Sequence, residues 1–480
     1  MRRALTLAIL LGGCAVGPRY VRPAPPTTEA YLTTAVPPQI VPGEIPVEWW
    51  RDFGSPELDR LVAMALTANS DLQVAEATLR QSRQEARAAG AALLPTIDAG
   101  LTSERSKSSN YLSPVLNAPI FDFTLQTAQV SVSYPLDLFG GARRAIESAR
   151  AATEGQYYRT AAARLTVTTN VVVAAVQEAS LREQLAAARG SVTANASLLT
   201  LLERRQALGA LGLADVAPQA AALGQAEAAV PALEKALVHQ QAALSILLGR
   251  DSSQPLPATV ELDHLVLPQV APLRLPSELV RQRPDIRAAA AALHGASADV
   301  GVTIAARLPA ILLTAAGGGA SPNFADLFRN GNPFWQVIGG ITQPLFHGGQ
   351  LLHRQRAAEA ALDGAKAQYQ STVLSAFVDV SDALTAIRSD DSALRATTRA
   401  DSAAQQSLRF THRQVELGAG DTLTALVATA TAAQTSLALI QVRAARFADR
   451  AALVQALGGP ATGPLRERPY AKKPVARHGA

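Results

Sequence analysis

Apolar residues in the last third of the chain return every three or four positions. They occupy Val373, Phe377, Val380, Leu384, Ile387 and Leu394, with Asp391 the one polar residue in the row. An earlier stretch repeats the step at Ala226, Val230, Leu233, Leu237, Leu244 and Leu247, where Gln240 is the exception. A step averaging about 3.5 residues over this length predicts helices packed lengthwise along a coiled-coil seam. No proline interrupts residues 141–208 or 349–417. At about 1.5 Å per residue, each stretch would extend on the order of 100 Å as helix. The abundant alanines favour helix and let backbones approach closely. Pro231 is expected to kink its helix, because it lacks the amide donor and crowds the preceding turn.

A different period precedes each long helix. Within residues 124–136, Val130, Val132, Tyr134 and Leu136 fall on one face, while Gln129, Ser131 and Ser133 fall on the other. Strict alternation of this kind predicts a strand between lipid and water. Residues 96–106, 311–320 and 335–343 alternate more weakly. Their lengths are near the roughly 9 to 11 residues that a tilted membrane strand needs. Gly317, Gly318 and Gly319 are not followed by the Lys-Ser or Lys-Thr of a phosphate loop, so they read as a strand bend or a close approach. Four strands cannot close a membrane barrel, whose smallest examples have about eight. An open edge in lipid leaves amides unpaired at several kcal/mol each, so a lone copy is not the expected membrane form.

The pattern occurs twice. Tyr134, Pro135, Leu136 with Phe139, Gly140, Gly141 recurs as Gln343, Pro344, Leu345, Phe346 with Gly348, Gly349. Leu208, Gly209 recurs as Leu417, Gly418, and Leu248, Gly249 as Leu457, Gly458. These marks are separated by 209 positions (135 to 344), and Pro95 and Pro309 by 214 (95 to 309). The expected organisation is a signal peptide over 1–13, an extended segment over 14–50, repeat halves over 51–260 and 261–460, and a basic tail over 461–480. Each half is read as a helix, two strands and two long helices. A unit this long is a half-molecule, not one turn of a solenoid.

The ends add a location. Met1, Arg2 and Arg3 precede an apolar run too short to span a bilayer, and Leu11, Gly12, Gly13, Cys14 matches a bacterial lipoprotein processing site. Cleavage before Cys14 and acylation there would hold the chain on a membrane. Ala15 stands where an Asp would favour the inner membrane, so outer-membrane sorting in a Gram-negative bacterium is expected. Cys14 is the one cysteine, which excludes a disulfide framework and a cysteine-rich metal site. The chain is 48% hydrophobic and 17% charged, yet no later run of about 18 uninterrupted apolar residues would make a membrane helix. The net charge of +5 gathers partly in the tail at Arg466, Arg468, Lys472, Lys473 and Arg477. Without interleaved aromatics this reads as a solvated tail, and no nucleic-acid partner is expected. Gly-x-Ser-x-Gly, His-Glu-x-x-His and Gly-Lys loops are absent, and His347 and His353 lie on different sides of a helix. No catalytic residue, cofactor or metal is expected.

Taken in order, further marks resemble the TolC-type outer-membrane factors, in their acylated NodT-like branch. They are Cys14 to Pro18 with Arg22, Pro23; then Trp50, Phe53, Leu58, Leu61, Ala65, Asn69, Asp71, Leu72; then Arg283, Pro284, Asp285, Ile286, Arg287. The resemblance implies a mainly α fold with a membrane β part: a homotrimer sharing a twelve-stranded barrel that continues into a periplasmic helical tunnel. It implies a channel for small-molecule efflux, working with a periplasmic adaptor and an inner-membrane resistance-nodulation-division pump. A duct for type I protein secretion and a purely structural periplasmic lipoprotein are the alternatives. In the family, Arg283-Pro284-Asp285 marks a helix start in the belt around the tunnel. The family's tips, where paired long helices meet, correspond here to Leu213-Ala214-Asp215-Val216 and Gly418 to Leu423. Asp215 and Asp421 are therefore aperture candidates, while an Asp before an apolar run also serves as a helix cap. Val427 and Ala430 stand where family members often carry a further Asp and an Arg.

Overall fold

The computed structural model describes residues 15–24, 40–42, 44–107, 122–267, 271–273, 276–329, 331–417, 419 and 421–460. In chain order the elements are β1 (Ile40–Pro42), a 3-10 turn (Trp49–Phe53), α1 (Pro56–Ala68), α2 (Ser70–Ala91), β2 (Thr96–Lys107), β3 (Asp122–Leu136), α3 (Gly141–Ala207) and α4 (Leu213–Leu247). There follow β4 (Ala271–Leu273), α5 (Pro276–Gln282), α6 (Pro284–Ala305), β5 (Ala310–Ser321), β6 (Pro333–Thr342), α7 (Gln350–Glu416) and α8 (Thr422–Ala456). Helices α3 and α7 each have 67 residues, and α4 and α8 each have 35. All four boundaries in the second half lie 209 positions after their counterparts (141 to 350, 247 to 456).

Two elements depart from the sequence reading. Strands β1 and β4 form a parallel pair of three residues each, too short and too proline-bearing for any alternation to announce. Helix α4 runs through both Pro218 and Pro231, although only Pro231 is expected from the sequence to disturb it. Each proline leaves the carbonyl four residues earlier, Ala214 and Glu227, without its helical donor.

The chain divides into two compact units. The first comprises 1–23, 79–156 and 289–369; the second comprises 24–78, 157–288 and 370–480. In the first, β2, β3, β5 and β6 form one antiparallel sheet in that order. Thr153 ties α3 to α2, accepting a hydrogen bond from the Ser82 hydroxyl at 3.1 Å and donating to the Ser82 carbonyl at 3.0 Å. Gly318 in β5 explains part of the glycine run, since a Cβ there would come 2.0 Å from the Ala128 carbonyl oxygen.

The second unit is helical. Its core includes Trp49, Trp50 and Phe53 of the 3-10 turn and Leu58, Leu61, Val62 and Ala65 of α1, with Phe53 against Phe447 of α8. Ser55 caps α1 by accepting from the Leu58 amide at 3.2 Å. The seam positions Val373, Val380, Leu384 and Ile387 are buried. By length and composition α6 and α8 could cross a membrane. Helix α8 nonetheless buries Ile440, Ala444, Phe447, Ala451 and Leu453 within the protein, as a core helix does.

Both return helices end on the start of a shorter one. Asn69 caps α2 through the Leu72 amide at 3.0 Å and donates its side-chain amide to the Leu247 carbonyl of α4 at 3.0 Å. Arg283 takes that place in the second half and donates to the Ala456 carbonyl of α8 at 2.8 Å. It also reaches the Ala376 carbonyl at 3.2 Å, the Asp285 carboxylate at 2.9 Å and the Asp379 carboxylate of α7. A cation at a helix C-terminus satisfies orphan carbonyls and opposes the macrodipole. Gly249 and Gly458, at φ +64° and +82°, end α4 and α8 in the left-handed turn this junction needs.

With Arg283 only 9% exposed, its removal leaves the Ala456 carbonyl at the end of α8 without its charged donor. Arg283→Met should cost about 2 kcal/mol, read as a lower denaturant midpoint for loss of helical signal. A midpoint within error of the parent would contradict the assignment of Arg283 as the tie.

Candidate functional site

Register sorts the sheet residues by face. Ile97, Val132, Ala315 and Val337 stand in one cross-strand row, and Ala99, Val130, Gly317 and Trp335 in the next. Further rows on that face hold Leu101 with Ala128, then Tyr134 with Leu313, then Leu136 with Ile311 and Ile341. The opposite face carries Thr96, Ser133, Thr314 and Ile338 in one row and Asp98, Ser131, Ala316 and Gln336 in another. Facing side chains alternate strictly along a strand, so one side of the sheet is apolar and the other carries the polar residues with a few apolar ones among them. From Ala128 to Leu136 the apolar side runs roughly 27 Å along β3, comparable to the band of about 25 Å on membrane barrels. Trp335 at one end of that band is 82% exposed, as an interfacial aromatic would be. Strands β2 and β6 are the two edges of the sheet.

The second cluster lies where the long helices turn. Leu198 and Leu202 of α3, Val216 of α4, Val415 of α7 and Ala425 of α8 pack into one buried group. Gln219 donates to the Asn195 side chain at 2.9 Å, fixing α4 on α3. Asp215 accepts from the Gly212 amide at 2.9 Å, closing the first turn of α4. Asp421 accepts from the Thr424 hydroxyl at 2.9 Å and the amides of Thr424 and Leu423 at 3.1 and 3.3 Å. The Thr424 hydroxyl and amide hold the Asp421 carboxyl below its usual range, so it is ionised at neutral pH. Each aspartate therefore caps its own helix, and the Asp421 side chain stays exposed. Val427 and Ala430 are exposed too, without charge.

Cys14, the signal segment and the basic tail lie outside the described residues. The residues that follow Cys14 are held at the junction of β3 and α3. Val16 donates to the Phe139 carbonyl at 3.1 Å, and Arg144 donates to the Val16 carbonyl at 3.0 Å. Arg144 also pairs with Glu147 at 2.8 Å, Glu147 meets His294 at 2.9 Å, and Tyr20 stacks on His294 at 4.4 Å. Burial raises the Glu147 pKa, but the hydrogen bonds from His294 and Arg144 outweigh it and leave the carboxyl below its usual range. This cluster escapes sequence reading, because its members are 147 positions apart. Asp137 was legible in principle: an Asp ahead of a helix, it accepts from the Ala142 and Arg143 amides at 3.0 Å each.

Among the described residues, no group of three or more His, Cys, Asp or Glu could hold a metal ion. The arrangement is chemically suited to partition between oil and water and to carry a solvated path.

Known proteins share this design. The pyoverdine export outer membrane protein OpmQ of Pseudomonas putida is 32% identical over 432 residues, 89% of this chain and 90% of that one. The toluene efflux pump outer membrane protein TtgC of Pseudomonas putida is 30% identical over 460 residues, 94% of each chain. The solved outer-membrane channel OprN is 25% identical, with a TM-score of 0.85 over 93% of this chain and 99% of that one. Residues 61–250 and 275–459 match the family described as outer membrane efflux protein. The two-faced sheet, the paired long helices and these relatives agree: the chain belongs to the outer membrane efflux protein family.

Proposed function

We propose that three copies of this chain close a shared barrel of twelve strands in the outer membrane and continue it as a helical conduit through the periplasm. The observation that carries this reading is the four-stranded sheet with one apolar face, one polar face and two open edges. In lipid those edges need partners, and copies of the same sheet supply them at a number that permits closure. The apolar face then meets lipid and the polar face lines a water-filled bore. Acylation at Cys14 adds an anchor beside the junction where residues 15–17 are held.

In this reading the chain supplies no chemistry. A periplasmic adaptor docks on the helical tips and biases a closed-to-open equilibrium, and an inner-membrane resistance-nodulation-division pump supplies the energy. Pyoverdine and toluene, named for the two relatives, support small organic molecules as the cargo class. Asp215 and Asp421 would each form a ring of three at the aperture, in addition to capping their helices.

Adjacent residues on opposite faces separate lipid from bore. Val132→Arg should block membrane assembly, since a cation at mid-bilayer costs about 2 to 4 kcal/mol per copy. Ser131→Arg should assemble and lower single-channel conductance in planar bilayers. Equal behaviour of the two variants would contradict the face assignment. At the tip, Asp421→Asn keeps an N-cap acceptor and removes the charge. It should reduce cation preference as Asp421→Ala does. Parent-like selectivity in the Asn variant would leave Asp421 a cap alone.

A further inference from the structure

The internal repeat dictates how two copies of the sheet meet, residue by residue. Strands β2 and β5 each have 12 residues and begin 214 positions apart (96 to 310), the same offset as Pro95 and Pro309. Strands β3 and β6 correspond at 209, the offset of Pro135 and Pro344. The sheet itself checks both offsets. Thr96 stands opposite Ser133 in β2–β3, and their counterparts Ala310 and Thr342 stand opposite each other in β5–β6. The two halves therefore pair their own strands in one register.

A second pairing lacks its counterpart. Strand β3 also runs beside β5, with Val132 opposite Ala315, Tyr134 opposite Leu313 and Leu136 opposite Ile311. By the repeat, the matching partner of β6 is β2, yet in one chain these are the two edges of the sheet. Three strand spacings, about 14 Å, separate them. A β2 from another copy can take the place. Adding 209 to each β3 member and subtracting 214 from each β5 member turns the three pairs into Ile341–Leu101, Gln343–Ala99 and Leu345–Ile97. Ile341, Leu101 and Ile97 all belong to the apolar rows of the sheet, so the transferred register keeps lipid-facing residues together. A slip of one residue would set that face against the polar one.

Strand length points to the same partner. β3 continues to Leu136, three residues past Ser133, and over that stretch it pairs with β5 alone. The counterparts Gln343, Pro344 and Leu345 lie outside β6, which ends at Thr342. Pro344 is no obstacle, since Pro135 holds the same place in β3, opposite Leu312. Leu136 is partly buried, whereas Leu345 is 92% exposed, and Ile97 and Leu101 on the β2 edge are exposed as well. The first half thus shows these positions as a paired strand, and the second shows them bare.

We infer that residues 343–345 are a strand segment completed by a second copy of this chain: β6 lengthens by three residues when residues 97–99 of the neighbouring β2 pair with it, Leu345 opposite Ile97 and Ile341 opposite Leu101. The inference rests on the shared-barrel reading and adds to it which residue meets which.

The test is cysteine cross-linking in outer-membrane preparations of the full-length chain, whose own Cys14 makes the parent the control. The two edges of one chain are about 14 Å apart, twice the roughly 7 Å between Cα atoms that a disulfide tolerates, so a link joins different copies. Leu345→Cys with Ile97→Cys should, on oxidation by a copper complex, move most of the protein to linked dimers and trimers on a non-reducing gel. Gln343→Cys with Ala99→Cys should do the same and serves if the first variant assembles poorly. Ile341→Cys with Leu101→Cys should link within β6 proper. Leu345→Cys with Leu101→Cys, four residues or about 13 Å out of register, should stay unlinked. Linkage of that mismatched pair in place of the matched ones overturns the register. Linkage at 341 and 101 with none at 343 and 99 or at 345 and 97 overturns the added strand segment. Native mass of the parent is read alongside. Three chains per particle with no linked pair would sink this inference alone, and a single chain would sink the shared barrel with it.

Discussion

A peptide group in hydrocarbon has no water to bond, and the fold answers first to that constraint. The sheet β2-β3-β5-β6 satisfies its interior strands and leaves two edges. At several kcal/mol for each orphaned amide or carbonyl, two bare edges would outweigh the stability of an ordinary domain. The proposed assembly follows from this deficit. The rows of apolar residues decide where the sheet lives, while the edges decide that it does not live there alone.

The duplicated half explains how one short sequence unit yields both a sheet and a long helical hairpin. Equal lengths of α3 and α7, and of α4 and α8, keep the two hairpins in step along a common seam. The two halves differ at their joints. Asn69 receives the end of α4 with a neutral amide, where Arg283 receives the end of α8 with a charge that also reaches α7. The end of α8 is therefore received by a charge, and the end of α4 by a neutral side chain.

Much of this architecture was legible because its signals are periodic. The step through Val373, Val380 and Leu384 announced a buried seam, and the alternation from Gln129 to Leu136 announced a strand with two environments. The flanking strands alternate weakly by themselves. Their faces became visible only when register set Ile97 beside Val132, Ala315 and Val337. Contacts that depend on distant positions were not legible: the Arg144–Glu147–His294 cluster and the reach of Arg283. The aspartates at the turns illustrate a different limit. One residue can cap a helix and charge an aperture, and spacing along a single chain registers only the first of these roles.

The central claim concerns how many chains complete the sheet. Native mass measurement on particles extracted from the outer membrane in mild detergent tests it most directly. The account predicts a particle of three mature chains that needs detergent to stay in solution. A single chain, folded and soluble in plain buffer with its sheet intact, would contradict it.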